Sequence, residues 1–415
     1  MRWLWVLAVV LFVALLTWRA SLGNPLEMER AKLHEQGFLS TWNEVIAFSP
    51  TEGQDAGSGY RSYDLAVENI KDPAVAKAFE DLDHHIPPAQ EEQDVQVIRP
   101  LLAQLIEASK KPRWAILDEG HRFDPGGKAA RGPYLLCVLA RSDAHRGHPE
   151  MALNDLRAAA RMCHQMWSNP GMYCAWGGIG REIVVLQTLN IVMSSKQNDP
   201  KFVQEGIDFV KTLPPLPNLR RSLEAECVRY LDDFQKQSTL EAWHDPDAPV
   251  TIVDRAKDIF WEGPHERKRE AYVIRLRREA LERLPRDPMD WEESAHAYQS
   301  VANDHMDDPF SLEFPTGTEA VASTFIHVWG TDCAYRVVEL AALQTQLERL
   351  QGGAPSPSRL IDPYSHNRLL FRDHGAVFVD YSVGPDRVDN GGKGLESDPW
   401  RMDIVAGYGK SWPWK

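Results

Sequence analysis

The sequence lacks the short motifs that mark many catalytic and nucleotide-binding sites. It contains no HExxH, no GxSxG, no Walker loop and no paired CxxC. Its five cysteines are odd in number and widely spaced, so they predict neither a zinc knuckle nor a disulfide framework. We expect most of them to be small buried apolar residues, with a Cys163 to Cys174 bridge as the open alternative.

Positive charge is also scarce. The chain has 46 Lys and Arg against 60 Asp and Glu, which gives a net charge of -14. Proteins hold nucleic acids mainly through Lys and Arg that displace counterions from phosphates, so the composition excludes nucleic acid as a main partner. With 415 residues, 43% of them apolar and 26% charged, the chain instead has the composition of a globular protein of two or three domains.

Long apolar runs are absent except at the start, "MRWLWVLAVVLFVALLTWRASLG". Residues 3–18 are uncharged and lie between two arginines, with tryptophans placed for the membrane interfaces, although about 20 residues usually cross a bilayer. We therefore predict a single-pass membrane anchor in residues 1–23. The alternative is a cleaved signal peptide with Ser21-Leu22-Gly23 at its cleavage site. Either reading exports the rest of the chain, to the periplasmic face of a bacterial inner membrane or as a secreted protein.

Residues 24–130 read as an N-terminal region of helices and loops. The segment 24–37 is polar and helix-prone, as expected of a stalk that leaves the membrane, and 49–62 has a loop composition. Helical patches follow at 65–82 and 95–109.

Residues 131–353 form the predicted helical body, and its clearest element is a helical hairpin. "PYLLCVLARSDAHRG" is followed by "HPEMALNDLRAAARMCHQMW", with Gly147 placed as a helix C-cap and Pro149 as a first helical residue. The hairpin resembles one tetratricopeptide-type unit, but no second copy follows at a 34-residue period, so the body is irregular. Further helices are predicted at 172–193, 202–213, 219–237, 267–284 and 331–350.

The periodicity changes in residues 354–415. "RLLFRDHGAVFVDYSVG" predicts two short strands joined near Gly375. The fold class that we expect is thus mainly α: a helical-hairpin body with an N-terminal transmembrane helix and a small C-terminal antiparallel β unit.

This tail carries a family resemblance. "DPYSHNRLLFRDHGAVFVDYSVGPDRVDNGGKG" resembles the C-terminal segment of a group of uncharacterised exported bacterial proteins common in planctomycetes. It is similar in turn to the C-terminal β region of the type II secretion major pseudopilin, which binds calcium through acidic side chains and loop carbonyls. By that resemblance, Asp386 matches the Asp of the Gly-x-Asp turn, and Asp398 and Asp403 match a later acidic pair. Arg387 departs from the pattern, which favours Gly there. The N-terminus also lacks a prepilin leader, so the resemblance implies a pilin-like tail and not a pilin subunit.

The chemistry of the loop supports the same ion. Calcium takes six to eight oxygens in a tolerant geometry, and Asp386, Asp389 and Asn390 offer side-chain oxygens on a glycine-rich turn. Asp398 or Asp403 could complete the shell, which makes these five residues the predicted structural calcium site. The competing interpretation is an ordinary Asp/Asn/Gly turn selected for local hydrogen bonds.

Other clusters of metal-competent side chains have no spacing that a particular metal requires. One contains Asp81, Asp83, His84 and His85, and the other contains Asp304, His305, Asp307 and Asp308. We interpret both as solvated helix ends. The glycines of "WGGIGRE" are interpreted as sites of close helix packing, and the basic run from residue 265 as a solvated helix face with alternating ion pairs.

Two classes of function remain open. The favoured hypothesis is a non-catalytic, membrane-tethered envelope protein that binds another envelope protein or supports an assembly, because helical-hairpin bodies commonly present interaction surfaces. The alternative is an exported metal-dependent hydrolase that uses Asp118, Glu119 or the Asp304 cluster. Buried carboxylates and histidines that converge in one pocket would favour the hydrolase.

Overall fold

A computed structural model describes most of the chain outside the N-terminal run. The described residues are 24–47, 55–84, 86–114, 128–168, 172–216, 219–236, 263–285, 290–305, 317–352, 359–373, 378–384, 387–390 and 404–405. The predicted membrane segment, residues 1–23, lies outside them. None of the helices in these ranges combines the length and the apolar character that a bilayer span requires.

The described residues are mainly helical, as expected. The helices before the predicted hairpin are α1 Pro25–Glu35, α2 Trp42–Ile46, α3 Gly57–Glu68, α4 Pro73–Asp83, α5 Pro88–Val97 and α6 Arg99–Ala108. A short 3-10 helix, Lys128–Arg131, leads into α7 Gly132–His145, α8 Pro149–Trp167, α9 Met172–Ser195 and α10 Pro200–Lys211. The remaining helices are α11 Leu219–Lys236, α12 Gly263–Arg283, α13 Trp291–Asp304 and α14 Gly317–Leu350.

The chain divides into two compact units. Unit 1 comprises Met1–Ala47, Leu223–Pro285 and Glu293–Thr324, and unit 2 comprises Phe48–Ser222, Arg286–Glu292 and Phe325–Lys415. The chain passes between the units within three helices, α11, α13 and α14, and also in two connections between helices. Each unit is therefore assembled from segments that are distant in sequence.

The predicted helical hairpin is the centre of unit 2. Gly147 ends α7 with φ +83°, and Pro149 is the first residue of α8, as the sequence predicts. The His148 amide closes the turn by donating to the Asp143 carbonyl oxygen at 2.8 Å. The periodic apolar face of α8 is fully buried in a core that extends from α3 to α10 and includes the end of α14. Burial of each leucine in this core contributes about 2 kcal/mol to the stability of the unit.

The sequence predicts a loop at 49–62. The second half of this prediction is wrong, because α3 begins at Gly57. Gly59 lies so close to α6 that a Cβ there would approach the Ala108 Cβ to 2.6 Å. Tyr60 and Tyr63 are buried on the same helix. The aromatic burial and the close contact with α6 stabilise a helix that glycine and serine would not favour alone.

The predicted stalk is also corrected. Helix α1 packs against α12 in unit 1, with Leu26 and Leu33 buried on the shared face. Between them Glu29, also buried, accepts a 3.0 Å hydrogen bond from Arg278 of α12. Helix α1 can pack here with few apolar residues because the buried Glu29 is hydrogen-bonded to Arg278 inside the contact.

The predicted C-terminal β unit is present. Strand β1, Leu370–Asp373, pairs antiparallel with β2, Phe378–Ser382, so that Leu370 lies opposite Tyr381. Beside β2 runs β3, the two residues Ile404–Val405, which the sequence did not predict. The turn that joins β1 to β2 lies outside the described residues.

Candidate functional site

The predicted calcium loop follows β2, and two of its five proposed ligands are described. Asp389 is exposed, and one of its carboxylate oxygens accepts a 3.1 Å hydrogen bond from the Tyr381 hydroxyl. Asn390 donates from its side-chain amide to the Val388 carbonyl oxygen at 3.0 Å. Both groups thus make the local contacts of a turn. Asp386, Asp398 and Asp403 lie outside the described residues.

The backbone of this loop turns sharply. Gly384 has φ +71° and Arg387 has φ +56°, and the Arg387 amide donates to the Gly384 carbonyl oxygen at 3.2 Å. A left-handed conformation of this kind is most readily adopted by glycine, so Arg387 is an unusual residue at this turn.

A buried carboxylate beneath the loop organises the β unit. Asp362 has no exposed surface, and its two oxygens accept hydrogen bonds from the Ser382 hydroxyl at 2.6 Å and from the Val383 amide at 3.2 Å. The Tyr364 amide and the Ser365 hydroxyl donate to the same carboxylate at 3.0 Å and 2.9 Å. This carboxylate joins the segment before β1 to the end of β2. Asp362 is the first residue of the quoted C-terminal tail, and nothing in the spacing there indicated its role.

A second buried carboxylate fixes the β unit to the helical body. Asp380 of β2 accepts a 2.9 Å hydrogen bond from the Thr345 hydroxyl of α14, and Asp380 is 1% exposed. The β unit is therefore bonded to the last helix of the body.

A buried cluster of charged side chains joins α8, α9 and α14 within unit 2. Glu182 of α9 has no exposed surface, and Arg336 of α14 donates to both of its oxygens, at 2.9 Å and 3.0 Å. The Nε2 atom of His164 lies 3.3 Å from Glu182 Oε1. Arg336 also donates to the Pro214 carbonyl oxygen at 2.8 Å. Bidentate pairing of this kind fixes both distance and orientation between the helices.

Electrostatics and ring stacking reinforce this cluster. Burial favours the neutral form of Glu182, but the hydrogen bond with His164 and the charge of Arg336 outweigh it and hold the pKa of Glu182 below its usual value. The His164 ring stacks on Trp167 with ring centroids 4.9 Å apart. The Arg336 guanidinium carbon also lies 4.9 Å from the Trp167 ring centroid, within cation–π range. Glu182 therefore remains an ionised carboxylate whose two oxygens are already bonded to Arg336 and His164.

Close packing brings the partners of the cluster together, and one glycine of "WGGIGRE" makes it possible. A Cβ on Gly178 would lie 2.7 Å from the Cys163 carbonyl oxygen, so α9 can approach α8 only with glycine there. All five cysteines are free and buried, which confirms their interpretation as small core residues and excludes the Cys163 to Cys174 bridge.

A further buried carboxylate lies on α14. Asp332 accepts a 2.7 Å hydrogen bond from the Trp176 indole N–H. Burial raises the pKa of Asp332 to about 6, while the indole bond acts in the opposite direction. No sequence pattern indicates this pair, since 156 residues separate its members.

The other candidate metal clusters are dispersed into surface contacts. Asp304 pairs with Arg283 at 2.7 Å, and His305 Nε2 lies 2.8 Å from a Glu279 carboxylate oxygen. Asp81 accepts from Gln90 at 3.2 Å, and neighbouring His84 is exposed. The cluster residues His85, Asp307 and Asp308, and the hydrolase candidates Asp118 and Glu119, lie outside the described residues. Within the described ranges, no three His, Cys, Asp or Glu side chains are placed to hold a metal ion.

Comparison with protein-family models, with curated proteins and with solved structures finds no match to this chain. The planctomycete-type and pseudopilin-like resemblances therefore remain expectations from the sequence.

Proposed function

We propose that the protein is a membrane-tethered envelope protein whose helical body and β unit form a protein-binding or assembly module. In this proposal residues 1–23 anchor the chain in the bacterial inner membrane. The bulk of the chain is exported to the periplasm, and the partner is another envelope protein. No catalytic step is assigned to it.

The observation that carries the proposal is the paired state of the buried Glu182 cluster in unit 2. Arg336 and His164 both bond Glu182, and the three residues join α8, α9 and α14. A general acid or base needs a polar atom that a substrate can reach, but Glu182 has no exposed surface. The cluster therefore supports a rigid scaffold, which can present a constant surface to a partner.

The described residues of the hydrolase alternative support the same choice. Asp304 is occupied by Arg283, and His305 by Glu279, in contacts between neighbouring helices of unit 1. The Asp304–Arg283 pair is exposed and the His305–Glu279 pair is half-buried. Exposed pairs contribute about 0.2–1 kcal/mol to stability and are common on helix surfaces. They fit the interpretation of these residues as a solvated helix end.

Calcium enters the proposal as a structural ion of the C-terminal loop. The exposed Asp389 carboxylate lies two residues beyond the left-handed turn at Arg387, where the backbone can direct carbonyl oxygens to one side. Asp386, Asn390, Asp398 and Asp403 are the other proposed ligands. Such an ion would hold together chain segments on both sides of residues 391–397.

Calcium binding is tested by thermal unfolding of the protein with chelator and with added calcium. We expect calcium to raise the Tm of the wild type and to leave the Tm of Asp386→Ala unchanged, because binding to the folded state alone stabilises it. Asp208→Ala, which removes an exposed carboxylate of α10, is the matched control and should keep the calcium response. A wild type without a response, or an Asp386→Ala variant with a full response, would remove calcium from the proposal.

The tether and the partner are tested in cells. Full-length chain should fractionate with inner membranes and be cleaved by protease added to spheroplasts, whereas a chain of residues 24–415 should do neither. A photo-crosslinking residue at exposed Met151 or Ile191 of unit 2 should give a discrete adduct with an envelope protein. The adduct should also form when the detergent-solubilised chain and the partner are the only proteins present. This result would establish direct binding. A soluble mature chain without adducts, purified with a bound transition metal, would instead support the exported hydrolase.

A further inference from the structure

Two buried carboxyl groups meet where the α7–α8 hairpin packs on α5 and α6. Asp143 lies near the end of α7 and Asp155 in the second turn of α8, and they are 1% and 5% exposed. The Oδ2 atom of each is buried and has no hydrogen-bond donor within the part of the chain that the structure describes. Two acceptors of this kind cost free energy unless a proton or a donor satisfies them.

The charge around this pair is unbalanced by one unit. Arg99 of α6 pairs with Asp143 Oδ1, and Gln96 of α5 donates its side-chain amide to the same oxygen at 2.9 Å. Arg99 and Asp143 are the charged groups that act on Asp155, and α5 contributes only the neutral amide of Gln96. On the exposed side of α8, Arg157 faces Glu205 of α10. One guanidinium thus stands against two carboxyl groups, and two ionised carboxylates would leave a buried net negative charge.

A proton restores the balance better than a metal ion does. The side chain of Asp155 is within hydrogen-bond reach of Asp143, although two carboxylates cannot bond without a proton. A divalent cation at this place would face the positive charge of Arg99, and the two carboxyl groups supply too few ligands for calcium or zinc.

We propose that Asp143 and Asp155 hold a single proton between them at slightly acidic pH, and that loss of this proton as the pH rises past neutrality loosens the α7–α8 hairpin. The protonated carboxyl donates to its neighbour, so both Oδ2 atoms are satisfied. Together with Arg99 the cluster is then neutral. On deprotonation the two carboxylates repel each other across the hairpin that forms the centre of unit 2.

The titration of Asp155 gives the direction of the effect. Burial and the negative charge of Asp143 raise the pKa of Asp155 to about 7, while Arg99 opposes the shift. Because the folded state holds the proton more tightly than the unfolded chain, the stabilisation is fully present below the ordinary pKa of an aspartate. It is lost as pH rises through about 7. The opening equilibrium of the hairpin should increase about tenfold between pH 6 and pH 8 from this group alone.

The test is hydrogen exchange of full-length wild type and Asp155→Asn, followed in peptides from residues 132–167. After correction for intrinsic exchange, wild-type protection should fall about tenfold more than that of the variant between pH 6 and pH 8. Asp208→Asn, at an exposed carboxylate of α10, should behave like the wild type. Infrared difference spectra should also show a protonated carboxyl band at pH 6 that Asp155→Asn removes.

Arg99→Gln keeps the proposal testable if Asp155→Asn does not fold. Without the guanidinium the shared proton is held more tightly, so the midpoint of the wild-type transition should move to higher pH. Equal pH dependence in wild type and Asp155→Asn, or an Arg99→Gln midpoint that is unchanged or lower, would overturn the shared proton. A wild type whose protection at pH 8 is restored by calcium or zinc would overturn it in favour of a metal ion.

Discussion

Replacement of Arg336 by methionine should destabilise unit 2 more than most single substitutions. The change removes both hydrogen bonds to Glu182 and the bond to the Pro214 carbonyl oxygen, and it leaves a carboxylate with no exposed surface next to His164 alone. Loss of one partner from a buried ion pair costs about 3–5 kcal/mol. The lost cation–π contact with Trp167 adds about 1 kcal/mol. We therefore expect a loss of about 5 kcal/mol, or roughly 15 °C in Tm for a unit of this size.

Calorimetry and hydrogen exchange of α9 peptides would measure this loss, with Arg146→Met as the control for removal of an exposed arginine. The double variant Glu182→Leu with Arg336→Met separates the unpaired charge from lost packing. Since apolar replacement of a whole buried pair is often tolerated, the double variant should be at least about 2 kcal/mol more stable than Arg336→Met. A single variant within about 1 kcal/mol of the wild type, or strictly additive costs in the cycle, would refute the ion pair as the clamp between the helices.

Two further predictions concern local geometry. Gly178→Ala should destabilise unit 2 by about 2 kcal/mol, because its Cβ would lie 2.7 Å from the Cys163 carbonyl oxygen, whereas Gly180→Ala, with its nearest atom at 3.9 Å, should be neutral or stabilising in thermal unfolding. Asp362→Asn should cost about 2–3 kcal/mol, because it replaces an acceptor among four hydrogen-bond donors with an amide N–H. Hydrogen exchange in residues 359–384 should report this cost, and wild-type protection there in Asp362→Asn would contradict it.

The sequence predicted those features that local chemistry determines. The α7–α8 hairpin needs a left-handed C-cap and a helix-compatible first residue, and Gly147 and Pro149 provide both within three positions. The β1–β2 pairing follows similarly from a short alternating pattern. In these elements the deciding contacts lie within one or two turns of the chain.

The features that the sequence did not predict depend on distant contacts. Glu182 and Arg336 are 154 residues apart, and neither has a neighbour in sequence that would mark it as half of a buried pair. The start of α3 depends on contact between Gly59 and Ala108. Of the calcium ligands, Asp389 occupies an exposed position that is compatible with ion binding, but the site as a whole stays a prediction.

The burial of α1 against α12 determines how far unit 1 can move from any anchor. Helix α1 begins at Pro25, capped by the side chain of Asn24, and its Leu26 is already in the interior of the unit. Six residues, 19–24, lie in sequence between the apolar run and the first residue of α1. Since an extended residue spans at most about 3.5 Å, an anchor in residues 3–18 would hold the start of α1 within roughly 25 Å of the bilayer. A partner that binds unit 1 beside the start of α1 would then meet it close to the membrane surface.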